Sequence, residues 1–138
     1  LLALAILFGL YVIGAILYAQ FTNYTPQQEE PAEVLNPAEK LPKLEKDTLV
    51  FYDWNIGYCG LGKESDFFYD GGKMVRPSKE ISEKNLQGVL KTVQEWKNDA
   101  DFINLQEVDQ DSKRSYHVNQ FQKIAETLGN YKAVYGKN

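Results

Sequence analysis

The chain has 138 residues and a formal charge of −4, from 15 Lys and Arg against 19 Asp and Glu. It lacks the basic excess that marks non-specific nucleic-acid binding, and it offers no basic cluster beyond Lys113-Arg114. A lone cysteine, Cys59, excludes an internal disulfide; with no histidine near it in sequence it reads as a small buried hydrophobe rather than a nucleophile.

From Leu1 to Ala19 no side chain is charged. Nineteen residues in a helix span roughly 28 Å, close to the hydrocarbon thickness of a bilayer. Residues 1–19 therefore read as a transmembrane anchor, the chain's expected attachment to a membrane. A cleaved signal peptide is the competing reading, with Leu17-Tyr18-Ala19 as a small-residue cleavage site, although the run exceeds the roughly 7 to 15 residues of a signal core. No Lys or Arg follows until Lys40, which favours an extracytoplasmic position for what comes after. Residues 20–47 carry Pro26, Pro31, Pro37 and Pro42 among Gln, Glu and Lys, the composition of an extended linker. Within it, Val34, Leu35, Leu41 and Leu44 are apolar enough to pack on a domain.

The domain, residues 48–138, opens with a strand over Thr48–Ile56 whose two faces are both mostly apolar, as in a strand buried on both sides. A long turn-rich connection follows, through Gly57, Gly60, Gly62 and Asp70-Gly71-Gly72 to Pro77; loops of that length tend to be functional. Ser78 caps a helix to about Asn98, with Leu86, Val89, Leu90, Val93 and Trp96 on one face. Asp101–Glu107 is a second strand. A second helix covers about His117 to Leu128 through Val118, Phe121, Ile124 and Ala125, with Gly129 at its C-cap, and Tyr131–Tyr135 is a third strand. The order β, α, β, α, β indicates an α/β layered fold with helices covering a sheet.

The chemistry concentrates at two strand ends about fifty residues apart, Asn55 in Trp54-Asn55-Ile56-Gly57 and Glu107 in Leu105-Gln106-Glu107-Val108-Asp109. Hard cations take oxygen ligands, and Mg²⁺ typically uses one or two carboxylates with waters and substrate phosphate. Glu107 supplies the charge, and Asn55 can donate to phosphate or fix the metal's water shell. The competing reading makes Glu107 a turn cap and Asn55 a backbone partner. Arg114 is placed either to clamp a phosphate in a bidentate way or to stand solvated. Asp109 and Asp111 either assist the metal or are ordinary loop acids; His117 reads as a surface or capping residue. Phe67, Phe68 and Tyr69 either line a pocket or pin their loop.

Taken in order and at this separation, these two segments resemble the first two motifs of the endonuclease/exonuclease/phosphatase superfamily, the DNase I-like metal-dependent phosphoesterases. The match continues through Asp111-Ser112-Lys113-Arg114-Ser115 and covers roughly residues 48–138. The resemblance implies the N-terminal part of a four-layered α/β sandwich. It also implies Mg²⁺, or Mn²⁺ in its place, bound by Glu107 and Asn55, with Gln106 behind them, and hydrolysis of phosphodiester or phosphomonoester bonds. The general base of such enzymes, a histidine-aspartate pair, and their Asp-x-Asn motif have no counterpart here, so the chain as given is expected to be an incomplete, inactive fragment. The expected substrate is a phosphate ester of lipid, small-molecule or nucleic-acid type, with no protein partner; the anchor and acidic charge tilt this away from duplex DNA. A membrane-anchored, non-catalytic binding module on the same fold is the alternative.

Overall fold

The structure, a computed structural model, describes residues 2–23, 25, 28–29, 31–36 and 45–137. It falls into two compact units, Leu1–Ala32 with Lys137–Asn138, and Glu33–Gly136. The first is helix α1, Leu2–Thr22, 21 residues with a mean hydropathy of 2.4 and no buried side chain. Its length, roughly 32 Å, suffices to cross a membrane. The helix runs past Ala19 to Thr22, whose Oγ1 donates back to the Tyr18 carbonyl at 2.7 Å.

In the second unit, strand β2 (Phe51–Asn55), helix α2 (Lys79–Trp96) and strand β3 (Phe102–Gln106) form a β-α-β unit. The strands pair in parallel, from Phe51↔Phe102 to Asn55↔Gln106. Ser78 caps α2, its Oγ accepting from the Ile81 N–H at 3.3 Å. The core gathers Leu86, Val89 and Val93 of α2 with Ile56, Cys59, Ile124 and Leu128. Tyr52 stacks on Trp96 with centroids 4.5 Å apart, and Trp54 meets the same ring edge-on at 5.5 Å.

Only that face of the sheet is covered. The expectation of a strand buried on both sides is corrected: residues alternate across a strand, and Phe51, Asp53 and Asn55 lie exposed with Phe102, Asn104 and Gln106. Phe51 is 63 % exposed and Phe102 42 %, their rings stacked at 4.6 Å. No described element packs over them.

Helix α3 is Gln120–Leu128, starting three residues later than the apolar spacing suggests. Tyr116 and His117 both sit at φ 58, a left-handed backbone that a helix cannot include, so Asn119 becomes the cap and accepts from the Gln122 N–H at 2.8 Å. Gly129, at φ 58, ends the helix. The last strand, β4 (Ala133–Tyr135), does not join β2 and β3. It pairs antiparallel with β1 (Glu33–Leu35), so the fold holds two two-stranded sheets among the described residues. The segment expected as linker thus contributes a strand, and Asn36 adds a bond from Nδ2 to the Ala125 carbonyl at 2.8 Å. Leu41 and Leu44 lie outside the described residues.

Candidate functional site

Parallel pairing delivers the ends of β2 and β3 to one edge of the sheet, where α/β folds commonly bind ligands. Asn55 is in register with Gln106, and Glu107 follows directly. Asn55 Nδ2 donates to Glu107 Oε1 at 2.8 Å, while its Oδ1 accepts from the Gly57 N–H at 2.8 Å. The two partners fix the amide's orientation, because a carboxylate only accepts and a backbone N–H only donates.

Both strand ends leave the sheet through left-handed backbone. Glu107 has φ 54, and Gly57, Tyr58 and Cys59 take φ 53, 44 and 57 in succession. At Gly57 a Cβ would stand 3.1 Å from Leu61 Cβ, so glycine meets both the conformation and the close approach. The turn it makes brings the Tyr58 N–H to the Glu107 carbonyl at 2.8 Å.

Beneath the turns lies Gln120, 1 % exposed. Its Nε2 donates to the Tyr58 carbonyl at 2.7 Å, its Oε1 accepts from the Asp109 N–H at 3.0 Å, and its own N–H donates to the Asp109 carbonyl at 2.8 Å. One side chain therefore ties the turn after Asn55 to the turn after Glu107. Arg114 completes this layer. Nη2 reaches Asp109 Oδ1 at 2.9 Å and Nε reaches Oδ2 at 3.1 Å, with the guanidinium 4.0 Å above the Tyr58 ring. The bond to Asp109 raises the arginine's pKa further above its ordinary value, and burial raises that of the Tyr58 phenol against the opposing pull of Arg114.

An open cleft of about 660 Å³ runs beside Asn55 and Glu107, with Trp54, Leu61 and Val89 as apolar lining and Asn85 and Lys84 as polar lining. Lys84 is also paired with Glu64, which holds that carboxyl below its usual range. Asn85 Nδ2 donates to the Cys59 carbonyl at 3.2 Å.

Of the residues expected from sequence, Asn55 and Glu107 meet at the cleft, and the others do not join them there. Arg114 turns its bidentate edge to Asp109, which also accounts for Asp109. Gln106 Nε2 donates to Asp53 on the exposed sheet face, and His117 pairs with Asp111 at the surface. Phe67, Phe68 and Tyr69 contact one another away from the cleft. Cys59 is buried, its thiol pushed up to about 12, so it is neutral and unreactive at physiological pH. Sequence reasoning missed Gln120, Asn85 and Lys84. Asn85 and Lys84 lie beside the apolar stripe of α2, a position they share with its solvated residues, so neither carried a distinguishing signal.

Among the described residues there is no group of three or more His, Cys, Asp or Glu that could hold a metal. The donors at the cleft fit a hard cation that keeps most of its waters, with Glu107 as the one carboxylate ligand. Asn55 Oδ1 accepts the Gly57 N–H, which leaves one lone pair of the amide oxygen for the cation or its water shell, while Nδ2 orients Glu107. Comparison of the chain with protein-family models, with curated proteins and with solved structures finds no match in any of the three.

Proposed function

We propose that the cleft beside Asn55 and Glu107 binds a phosphate ester together with Mg²⁺ or Mn²⁺, and that these residues serve metal-dependent hydrolysis of phosphodiester or phosphomonoester bonds. The observation that carries this reading is the Asn55–Glu107 hydrogen bond of 2.8 Å between the ends of two parallel strands. The left-handed backbone at Glu107 supports it, because strained backbone persists where surroundings over-determine it, and such places cluster at functional sites. Glu107 would hold the cation and Asn55 would fix the carboxylate's rotamer. A cation bound there polarises the phosphoryl oxygen and stabilises its developing negative charge.

The reading carries with it membership of the endonuclease/exonuclease/phosphatase superfamily and its four-layered sandwich. The exposed Phe51–Phe102 face is of the kind that a further layer covers. It also carries membrane attachment through α1, with the domain on the extracytoplasmic side. A substrate of lipid or small-phosphoester type suits the chain's net charge of −4 better than duplex DNA does.

One observation favours the second reading, a binding module without turnover. His117, the chain's single histidine, is engaged with Asp111 away from the cleft, and among the described residues no histidine or second carboxylate lines the cleft beside Glu107. The two readings separate in one assay. The full chain is incubated with Mg²⁺ and bis(4-nitrophenyl) phosphate, and nitrophenol release is compared with that of Glu107→Gln. Mg²⁺-dependent release lost in the variant supports the enzyme. Binding of the ester with no release supports the module, and neither binding nor release removes the site.

A further inference from the structure

We infer that the loop over residues 66–76 is a membrane-interfacial tip that seats Phe68, Tyr69 and Val75 among the headgroups of a lipid bilayer. The inference rests on the proposed anchoring of α1, and the loop's own geometry carries it further. Tyr69 is 83 % exposed, Val75 78 % and Phe68 57 %, three large apolar side chains on one short loop. Tyr69, an apolar ring with a polar hydroxyl, is of the kind that favours the membrane–water interface, and Phe68 and Val75 add apolar area beside it.

The exposure is built in. Phe68 N–H donates to the Met74 carbonyl at 2.9 Å, Met74 N–H to the Asp66 carbonyl at 2.7 Å, and Gly72 N–H to the Phe67 carbonyl at 3.0 Å. At Gly72 a Cβ would lie 2.3 Å from the Asp66 carbonyl oxygen, so the loop closes only around a glycine. Its neck is tied to the domain by Tyr116 Oη on the Pro77 carbonyl and Arg76 Nη1 on the Lys113 carbonyl, both at 2.7 Å. With the Asp70 N–H on the Phe67 carbonyl and the Gly71 N–H on the Phe68 carbonyl as well, most of the tip's amides are paired within the loop, which lowers the cost of bringing it to an apolar surface.

Two further facts choose the bilayer as occupant. Ten residues separate the end of α1 at Thr22 from β1 at Glu33, and a fully extended chain of ten residues reaches at most about 36 Å. A domain on so short a tether meets the surface its anchor crosses at a high effective concentration. The charges of the loop also cancel, Asp66 and Asp70 against Lys73 and Arg76, so the attraction is apolar and needs no anionic lipid.

The test places the full chain in phosphatidylcholine nanodiscs with a nitroxide at Tyr69→Cys, at Lys91→Cys on the exposed side of α2, or at Gly14→Cys in α1. Buried Cys59 does not compete for the label. Accessibility to oxygen is compared with accessibility to a water-soluble nickel chelate. The oxygen-to-nickel ratio at position 69 should be several-fold above that at position 91, and adding Phe68→Ser and Val75→Ser should return it to the value at 91. Equal ratios at 69 and 91 overturn the tip, as does a raised ratio at 69 that survives the two serines. Position 14 reports the anchor separately: lipid-like there with water-like at 69 keeps the anchor and rejects the tip. Water-like at 14 with lipid-like at 69 rejects the anchor and keeps the tip.

Discussion

Asn55 bridges Gly57 and Glu107, accepting from one and donating to the other at 2.8 Å each, so a single amide locks the turn after β2 to the carboxylate after β3. Replacing Asn55 with Ala frees the Glu107 rotamer without opening the core, because Asn55 is exposed. Removing a group that orients a metal ligand typically costs about 10- to 100-fold in metal affinity. Mn²⁺ affinity of Asn55→Ala should fall within that range while the circular dichroism spectrum is kept, and losing the bond to the buried Gly57 N–H should cost on the order of 1–3 kcal/mol of stability. An unchanged Mn²⁺ affinity removes the orienting role.

Glu107 has φ 54. A side chain in left-handed backbone costs roughly 1–2 kcal/mol, which glycine avoids. Glu107→Gly should therefore be more stable than Glu107→Ala by about 1 kcal/mol in urea titration, the reverse of the order found in a helix, although both lose cation binding. An alanine variant as stable as the glycine variant contradicts strain at this position.

Gln120 satisfies two backbone groups from a buried position. Each orphaned buried group costs on the order of 1–3 kcal/mol. Gln120→Ala should lose about 3 kcal/mol of stability or more, measured by urea denaturation, and a loss below about 1 kcal/mol would show that the turns hold without it.

Burial pushes the Cys59 thiol up from 9.0 to about 12. The unfolded thiol ionises first, so the unfolded state binds fewer protons than the folded one as pH rises from about 9 to 12. Stability contributed by the neutral buried thiol is full below pH 9 and is lost across that window. Cys59→Ala should lack this alkaline component, and the native thiol should resist a disulfide reagent at pH 8 until urea exposes it. Rapid modification of the folded chain would contradict the burial.

Elements with strong local signals were legible in the sequence. Ser78 and the stripe Leu86, Val89, Val93 mark α2, and α3 keeps the expected face of Phe121, Ile124 and Leu128. The start of α3 was not legible, since Tyr116 is not a residue type that announces positive φ and the enrichment of histidine there is too weak to mark a single position. The β1–β4 pairing joins three-residue strands about a hundred positions apart, too short for any periodicity to register. The strand ends that carry Asn55 and Glu107 were legible because apolar runs stop there. Gln120 was not, because a buried glutamine is spelled like a surface one and only the assembled turns reveal its partners. For the same reason Arg114 was placed near the site, yet its true partner, Asp109, was not identified.

The claim that Glu107 and Asn55 form a cation-dependent phosphate site is tested most directly by phosphorus NMR of a phosphodiester in the presence of the full chain and substoichiometric Mn²⁺. Paramagnetic relaxation reports a phosphate held beside the bound ion whether or not it is hydrolysed. The account predicts strong broadening of the ester resonance with the parent chain and its loss in Glu107→Gln. Broadening that persists undiminished in that variant, or its absence with the parent chain, would contradict the site.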